Sequence, residues 1–163
     1  MKAMQDIADE ASRWATDILN ILEETQPGVH NLRNHSALRH CYASGKYSKL
    51  LGCACAGCLG HFREEYQFLY EDQSALTTAR TDFNNSIGRG CAGCSGKGNL
   101  EPQKATPGRT VRTFPQSDPQ IKQCCYNSFM NDLLWLGPTR PPDSENVPYV
   151  CDSLIYGVLS VFY

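Results

Sequence analysis

The sequence predicts a mainly α-helical fold in a single compact domain, with long Pro- and Gly-rich loops and at most a short C-terminal strand or hairpin. Three observations lead to this prediction. The first 26 residues carry a clear helical stripe of apolar side chains, and residues that typically start or end helices recur along the chain. In addition, 163 residues with 41% hydrophobic and 20% charged content suit one soluble domain with a sizeable core.

The first predicted element is an amphipathic helix within residues 1–26. Its apolar residues recur at steps of three and four, which places them on one face of a helix. Gln26, Pro27 and Gly28 end the pattern. The stripe predicts a helix that packs against the core, and it consists of Met4, Ile7, Ala8, Ala11, Trp14, Ala15, Ile18, Leu19 and Leu22.

Three further helices are predicted before residue 98. The second begins near Asn34 to Ser36, which are residues that cap helices well. The third covers Leu50 to Tyr70 and is rich in small residues in its first half. Ser74 caps a fourth helix that runs to about Ile87, where a series of glycines starting at Gly88 is expected to end it.

The C-terminal third divides into loops and two elements. Residues 99–119 are rich in Pro, Gly and Thr, which predicts a long loop. Asp118 and Pro119 can start another helix, and residues 120–163 contain this helix and an apolar segment. The segment from Tyr149 to Tyr163 is rich in β-branched and aromatic residues, and its pattern leaves strand and helix open.

The charge balance argues against two classes of function. A net charge of -2 gives no general attraction to nucleic acid or to an anionic membrane.

No apolar run is long enough for a transmembrane segment. The first residues are unlike the apolar core of a cleaved signal peptide, so we expect any export to use another route.

Nine cysteines form the first group of residues that could bind a metal or react. The tetrapeptide Cys-Ala-Gly-Cys occurs twice, and two such pairs are the usual way to build a four-cysteine zinc site. The second copy, with the residues after it, resembles the C-x-x-C-x-G-x-G element of DnaJ-type zinc domains. The sequence thus predicts a structural zinc ion with the ligands Cys55, Cys58, Cys91 and Cys94.

Two alternatives for the cysteines stay open. They can form disulfides, or they can be reduced thiols buried as small apolar residues. The neighbours Cys124 and Cys125 rarely pair with each other, so one or both would reach Cys41, Cys94 or Cys151. A thiol that acts with His61 or His40 as a catalytic nucleophile is a further alternative.

Residues 30–98 are the predicted functional core, because they hold all the histidines and a set of polar side chains at helical spacing. If the fourth helix faces the second and third, a histidine, carboxylates and amides converge, as acid–base chemistry requires. The alternative is that these residues cap helices or lie solvated on the surface. The candidate catalytic residues are Arg39, His40, Glu65, Asp82, Asn84 and Asn85.

The same residues carry a resemblance to a known family. Ala37-Leu38-Arg39-His40, a later glutamate near position 65, and Asn84-Asn85-Ser86-Ile87-Gly88-Arg89 resemble a domain at the C-terminal ends of bacterial Rhs and other polymorphic toxins. The resemblance covers roughly residues 30–89. It implies a secreted effector that is cytoplasmic in the producer, is delivered into a target cell, and has a cognate immunity protein as its partner.

We therefore expect a toxin domain with hydrolase activity. His40 would be the general base, Glu65 or Asp82 would orient it, and Asn84 and Asn85 would hold the substrate or an oxyanion. Two alternatives of other classes are a zinc-stabilised binding module and a non-enzymatic toxin that acts on membranes.

Overall fold

The computed structural model describes residues 2–95, 101–103 and 114–137, and it confirms a mainly helical, compact single domain. The predicted apolar segment Tyr149–Tyr163 lies outside the described residues. A small antiparallel hairpin lies between the fourth and fifth helices, where Cys94 pairs with Pro102 and Ser95 with Glu101. The elements are α1 Lys2–Glu23, α2 Leu32–Leu51, α3 Cys53–Tyr70, α4 Ala75–Cys91, β1 Cys94–Ser95, β2 Glu101–Pro102 and α5 Asp118–Met130. Among these described helices, none combines the length and apolar character needed to cross a membrane.

Helix α2 lies at the centre of the domain and packs against each of the other four helices. The apolar stripe of α1 is buried, as its periodicity predicts. Many core side chains are small, which allows the helices to approach closely. The buried core of the described residues includes Ile7, Ala11, Ala15, Leu19, Leu22, Ala37, Leu38, Cys41, Tyr42, Ala92, Ile121 and Phe129.

Three predicted helix boundaries are wrong. Helix α3 begins at Cys53, whereas Leu50, where it was expected to begin, belongs to α2. Helix α2 begins earlier than expected, because the Asn31 side chain accepts hydrogen bonds from the backbone N–H groups of Arg33 and Asn34, each at 3.1 Å. Helix α4 begins after Ser74 as predicted, but it continues through Gly88 and ends at Cys91. Gly88 lies where the backbone of α4 crosses that of α2, so its lack of a side chain serves packing rather than termination.

Disulfides join the elements that surround this crossing. Cys41 of α2 pairs with Cys125 of α5, and Cys91 of α4 pairs with Cys124 of α5. Cys53 at the start of α3 pairs with Cys94 in β1. The expectation that one of the neighbours Cys124 and Cys125 reaches Cys41 is thus confirmed for Cys125, whereas Cys124 bonds to Cys91, which was not among its expected partners. Helix α5 is linked covalently to both α2 and α4.

A network of charged side chains joins α1, α2 and α5 on one side of the core. Glu10 accepts hydrogen bonds from Lys46 and from the Tyr42 hydroxyl, and it forms an ion pair with Lys122 at 3.2 Å. Burial alone would raise the pKa of Glu10, but these donors lower it to about 2. The carboxylate therefore stays ionised, and the network complements the apolar contacts of α1.

Candidate functional site

A small pocket between α2, α3 and α4 brings together three of the six predicted catalytic residues. Its volume is about 60 Å³, and Arg39, His40 and Asn85 line it. Arg63 and Glu64 of α3 complete its polar wall. The convergence of α2, α3 and α4 on one polar site matches the arrangement that the sequence suggested.

The His40 ring is held in its neutral form. The Arg39 guanidinium donates to His40 Nε2 at 3.1 Å, so this nitrogen acts as an acceptor. Burial and the charges of Arg39 and Arg63 lower the pKa of His40 to about 3, although a hydrogen bond with the Asn85 side chain opposes this shift. A neutral histidine with so low a pKa is a weak base, which argues against the predicted general-base role.

This shift in the pKa of His40 predicts a dependence of stability on pH. In the unfolded chain His40 has an ordinary pKa near 6.5, so the unfolded state gains a proton below that pH and the folded state does not until about pH 3. Acidification through this window therefore lowers the free energy of unfolding. Between neutral pH and roughly pH 5, we expect the wild type to lose roughly 1–2 kcal/mol more than His40→Gln, measured by urea unfolding.

The control for this pH experiment is His30→Gln, because His30 is exposed. It should keep the wild-type slope. The raised pKa of Glu64 has the opposite effect on the free energy of unfolding as the pH falls. Because Glu64 is present in all three proteins, its effect cancels in the comparison. Equal slopes for wild type and His40→Gln would contradict the buried, neutral state of His40.

Glu64 is the carboxyl group that α3 buries beside this pocket. Only 2% of Glu64 is exposed, and Gln73 donates a hydrogen bond to it at 2.9 Å. Burial raises the pKa of Glu64, and the charge of Asp82 raises it further. The sequence prediction chose the neighbouring Glu65, whose side chain lies outside the described residues.

Asp82 pairs with a histidine other than the predicted one. Its Oδ2 lies 3.1 Å from Nδ1 of His61, and both side chains are mostly buried, with exposed fractions of 15% and 22%. His61 follows Gly60 of the pocket wall in α3, and Asp82 lies one helical turn before Asn85 in α4. A His–Asp pair therefore lies beside the pocket that holds Arg39 and His40.

Asn84 does not line this pocket, and its side chain instead binds the backbone of the segment after α5. Its Nδ2 donates to the Trp135 carbonyl oxygen at 3.2 Å, and its Oδ1 accepts from the Trp135 backbone N–H at 2.8 Å. Asn84 is 3% exposed, so its amide is occupied in fixing the segment after α5. Asn85, the next residue, faces a different direction because consecutive helical residues are about 100° apart.

The cysteines of the two repeated motifs do not share one site, because several of them form disulfides with other cysteines. Cys91 and Cys94 bond to Cys124 and Cys53, Cys58 is also disulfide-bonded, and Cys55 is an exposed thiol without a bond in the described structure. The predicted zinc ligands therefore do not form one cluster there. The sulfur atoms of Cys41, Cys91 and Cys125 do lie within 4.8 Å of one another.

Sequence reasoning underestimated His61 and Glu64, although a signal for both was present. Ala56, Gly60 and Glu64 recur at four-residue steps, which places them on one face of α3. His61 lies next to that face. Tracing this face from the small residues toward the acidic pair would have favoured Glu64 over Glu65.

Fold and site together define a disulfide-linked helical protein with a small polar pocket and an adjacent His–Asp pair. No protein-family model, curated protein or solved structure matches the chain.

Proposed function

We propose that this protein is a secreted effector, a toxin domain that hydrolyses its substrate with His61 and Asp82 as the acid–base pair. The observation that carries the proposal is the contact between His61 Nδ1 and Asp82 Oδ2, beside a pocket of polar and cationic side chains. A carboxylate that orients an imidazole through one ring nitrogen is the arrangement by which many hydrolases position a base.

In this proposal His61 takes a proton from the attacking water while the water oxygen bonds to the electrophilic centre of the substrate. The imidazolium then returns the proton to the leaving group as the scissile bond breaks. Asp82 stabilises the imidazolium through the Nδ1–H bond. His61 replaces His40 as the proposed base, because the low pKa of His40 makes it a poor proton acceptor.

The pocket supplies the groups for binding and for stabilising charge. Arg39 and Arg63 are cations that attract an anionic group of the substrate or the negative charge that develops during hydrolysis. His40 accepts from Arg39 and thereby fixes the guanidinium, so His40 is a positioning residue in this scheme. The Asn85 amide adds a neutral polar contact to the pocket wall.

The disulfides support the proposal that the protein acts after export. Disulfides persist in oxidising compartments and are rare in the cytosol. The bonds that join distant parts of the described chain, together with the further disulfide of Cys58, suit an extracellular or periplasmic protein. A toxin of this kind requires a cognate immunity protein in the producer, and we propose such a partner on the basis of the family resemblance.

Expression in a sensitive bacterium tests the proposed activity. The chain is produced with and without a signal for export to the periplasm, and growth is followed after induction. We expect the exported wild type to be toxic, and we expect His61→Ala and Asp82→Asn to lose toxicity because acid–base catalysis contributes roughly a 10²–10⁴-fold rate increase. His30→Ala, at an exposed histidine, is the control and should remain toxic.

Circular dichroism of each purified variant must show wild-type helix content, so that loss of folding is separated from loss of catalysis. A harmless wild type in both compartments would refute the toxin proposal. Toxicity that survives both His61→Ala and Asp82→Asn would refute the assignment of the acid–base pair and would favour the non-enzymatic alternative.

The cysteine cluster supports a second candidate, a structural metal in the reduced protein. Cys41, Cys91 and Cys125 lie close enough to share one ion, and Cys124 is adjacent to Cys125 in the chain. Thiolates are the preferred ligands of structural zinc. Elemental analysis of protein purified under reducing conditions tests this candidate: one zinc per chain, lost in Cys91→Ser and kept in Cys55→Ser, would support it.

A further inference from the structure

A second pocket of about 290 Å³ lies on another side of the contact between α2 and α4. Asn84 lines this pocket, whereas Asn85 lines the first, so the two pockets use different faces of α4. The pocket is large enough for a small ligand, near the lower end of the usual range. The side chains that characterise it are Arg33, Ser36, Thr77, Arg80, Trp135 and Leu136.

Two arginines at this pocket lack an acidic partner. Among the described residues, no carboxylate lies within ion-pairing distance of Arg33 or Arg80. Within the part of the chain that the structure describes, Arg80 donates a hydrogen bond to the Thr77 hydroxyl, at 3.3 Å. Both arginines line the same pocket, so an anion bound there would be attracted by two positive charges. The pocket therefore favours an anionic ligand, and two cations match a dianion better than a single carboxylate.

Another part of the pocket lining is apolar, and hydrogen bonds hold its backbone in place. Trp135 and Leu136 form this part, and both backbone polar groups of Trp135 are hydrogen-bonded to the Asn84 side chain. Phe83 contacts the Trp135 ring edge to face, with 6.0 Å between the ring centroids. A lining that combines two arginines with a tryptophan and a leucine fits a ligand with an anionic head and an apolar body.

We propose that this pocket binds a small organic phosphate, with the phosphate between Arg33 and Arg80 and the apolar part against Trp135. The Ser36 and Thr77 hydroxyls lie at the pocket and add hydrogen-bond donors for phosphate oxygens. The inference is independent of the proposed hydrolase activity, because it involves neither His61 nor Asp82.

Tryptophan fluorescence offers a direct test with phenyl phosphate as the probe. The chain has two tryptophans, so Trp14→Phe leaves Trp135 as the single reporter at the pocket. We expect a saturable change in emission on titration with phenyl phosphate. Arg33→Gln and Arg80→Gln, each made in this background, should weaken binding about tenfold by loss of a charge-assisted hydrogen bond. Arg13→Gln, which removes an exposed arginine of α1, should leave it unchanged.

Two further compounds test separately how the anionic head and the apolar body of the proposed ligand contribute to binding. Inorganic phosphate lacks the apolar body and should bind more weakly than phenyl phosphate, and phenol lacks the anion and should not bind. Calorimetry on the wild type repeats the titration if Trp14→Phe does not fold. The proposal fails if phenyl phosphate gives no saturable signal in the millimolar range, or if Arg13→Gln weakens binding as much as Arg33→Gln and Arg80→Gln.

Discussion

Gly88→Ala is expected to lower the free energy of unfolding by at least about 3 kcal/mol, because the added methyl group would overlap the backbone of α2. A Cβ atom at this position would overlap the Cys41 carbonyl oxygen and would lie 2.7 Å from the Cys41 carbonyl carbon. Backbone atoms of α2 cannot rotate away as a side chain can. The two helices must therefore separate, and the core that they share must open.

Thermal unfolding by circular dichroism measures this effect. For a chain of this length, we expect Gly88→Ala to lower Tm by roughly 10 °C, or to prevent recovery of folded protein. Gly60→Ala is the matched control, because its Cβ would meet only Asn85 Nδ2, at 3.6 Å. The control should be neutral or stabilising by about 1 kcal/mol, since alanine favours helix over glycine. Similar Tm values for the two variants would contradict the close crossing of α2 and α4.

Gly88 also shows where prediction from the sequence reaches its limit. Helix α1 was predictable because its apolar residues repeat with the helical period, and Ser74 was predictable as a cap because its side chain bonds the backbone N–H of Thr77 locally. A glycine at a helix crossing and a glycine at a helix end look the same in one sequence. Only the position of Cys41 on the other helix distinguishes them.

The residues of the candidate site were predictable in part, but their partners were not. Arg39, His40 and Asn85 belong to the set that was expected to converge if the fourth helix faces the second and third, and they do line one pocket. The roles of Asn84 and Asp82 depend on Trp135 and His61, which are distant in sequence. Local spacing contains no information about such long-range pairs, so only the tertiary structure identifies the partner of each of these side chains.

The pairing of the cysteines is a second long-range property. Many connectivities are possible for nine cysteines, and sequence alone does not select one. The repeated tetrapeptide suggested a single metal site, yet its two copies lie at the start of α3 and at the end of α4. The first copy contains the exposed Cys55, and the second forms bonds to α5 and to the start of α3.

Reduction of the disulfides is the second change with a large expected effect. The bonds close loops of 84, 41 and 33 residues, and a disulfide over loops of this size typically contributes about 2–4 kcal/mol, mainly by restricting the unfolded chain. The contributions are not additive, since the loops overlap. Even so, the bonds together account for a large part of the total stability of about 5–15 kcal/mol of an ordinary domain. We therefore expect the fully reduced protein to lose most of its helical signal at 37 °C, the temperature at which such domains often fail.

The composition of the core explains this dependence on covalent links. Several core positions are alanine, including Ala11, Ala15, Ala37 and Ala92, and each buries far less apolar area than leucine would. Close packing of small residues compensates only in part. Helix α5 is short, and its disulfides to α2 and α4 hold it against the other helices.

A graded set of variants tests this expectation, with circular dichroism as the measurement and thiol alkylation to count reduced cysteines. Cys41→Ser/Cys125→Ser should lower Tm strongly, whereas Cys55→Ser removes an exposed thiol outside any disulfide of the described structure and should not change it. Reduced protein that keeps the oxidised Tm in a chelator would contradict the structural role of these bonds. Reduced protein that unfolds in a chelator but remains folded with added zinc would show that thiolates and a metal replace the disulfides, since bound metal stabilises the folded state by mass action.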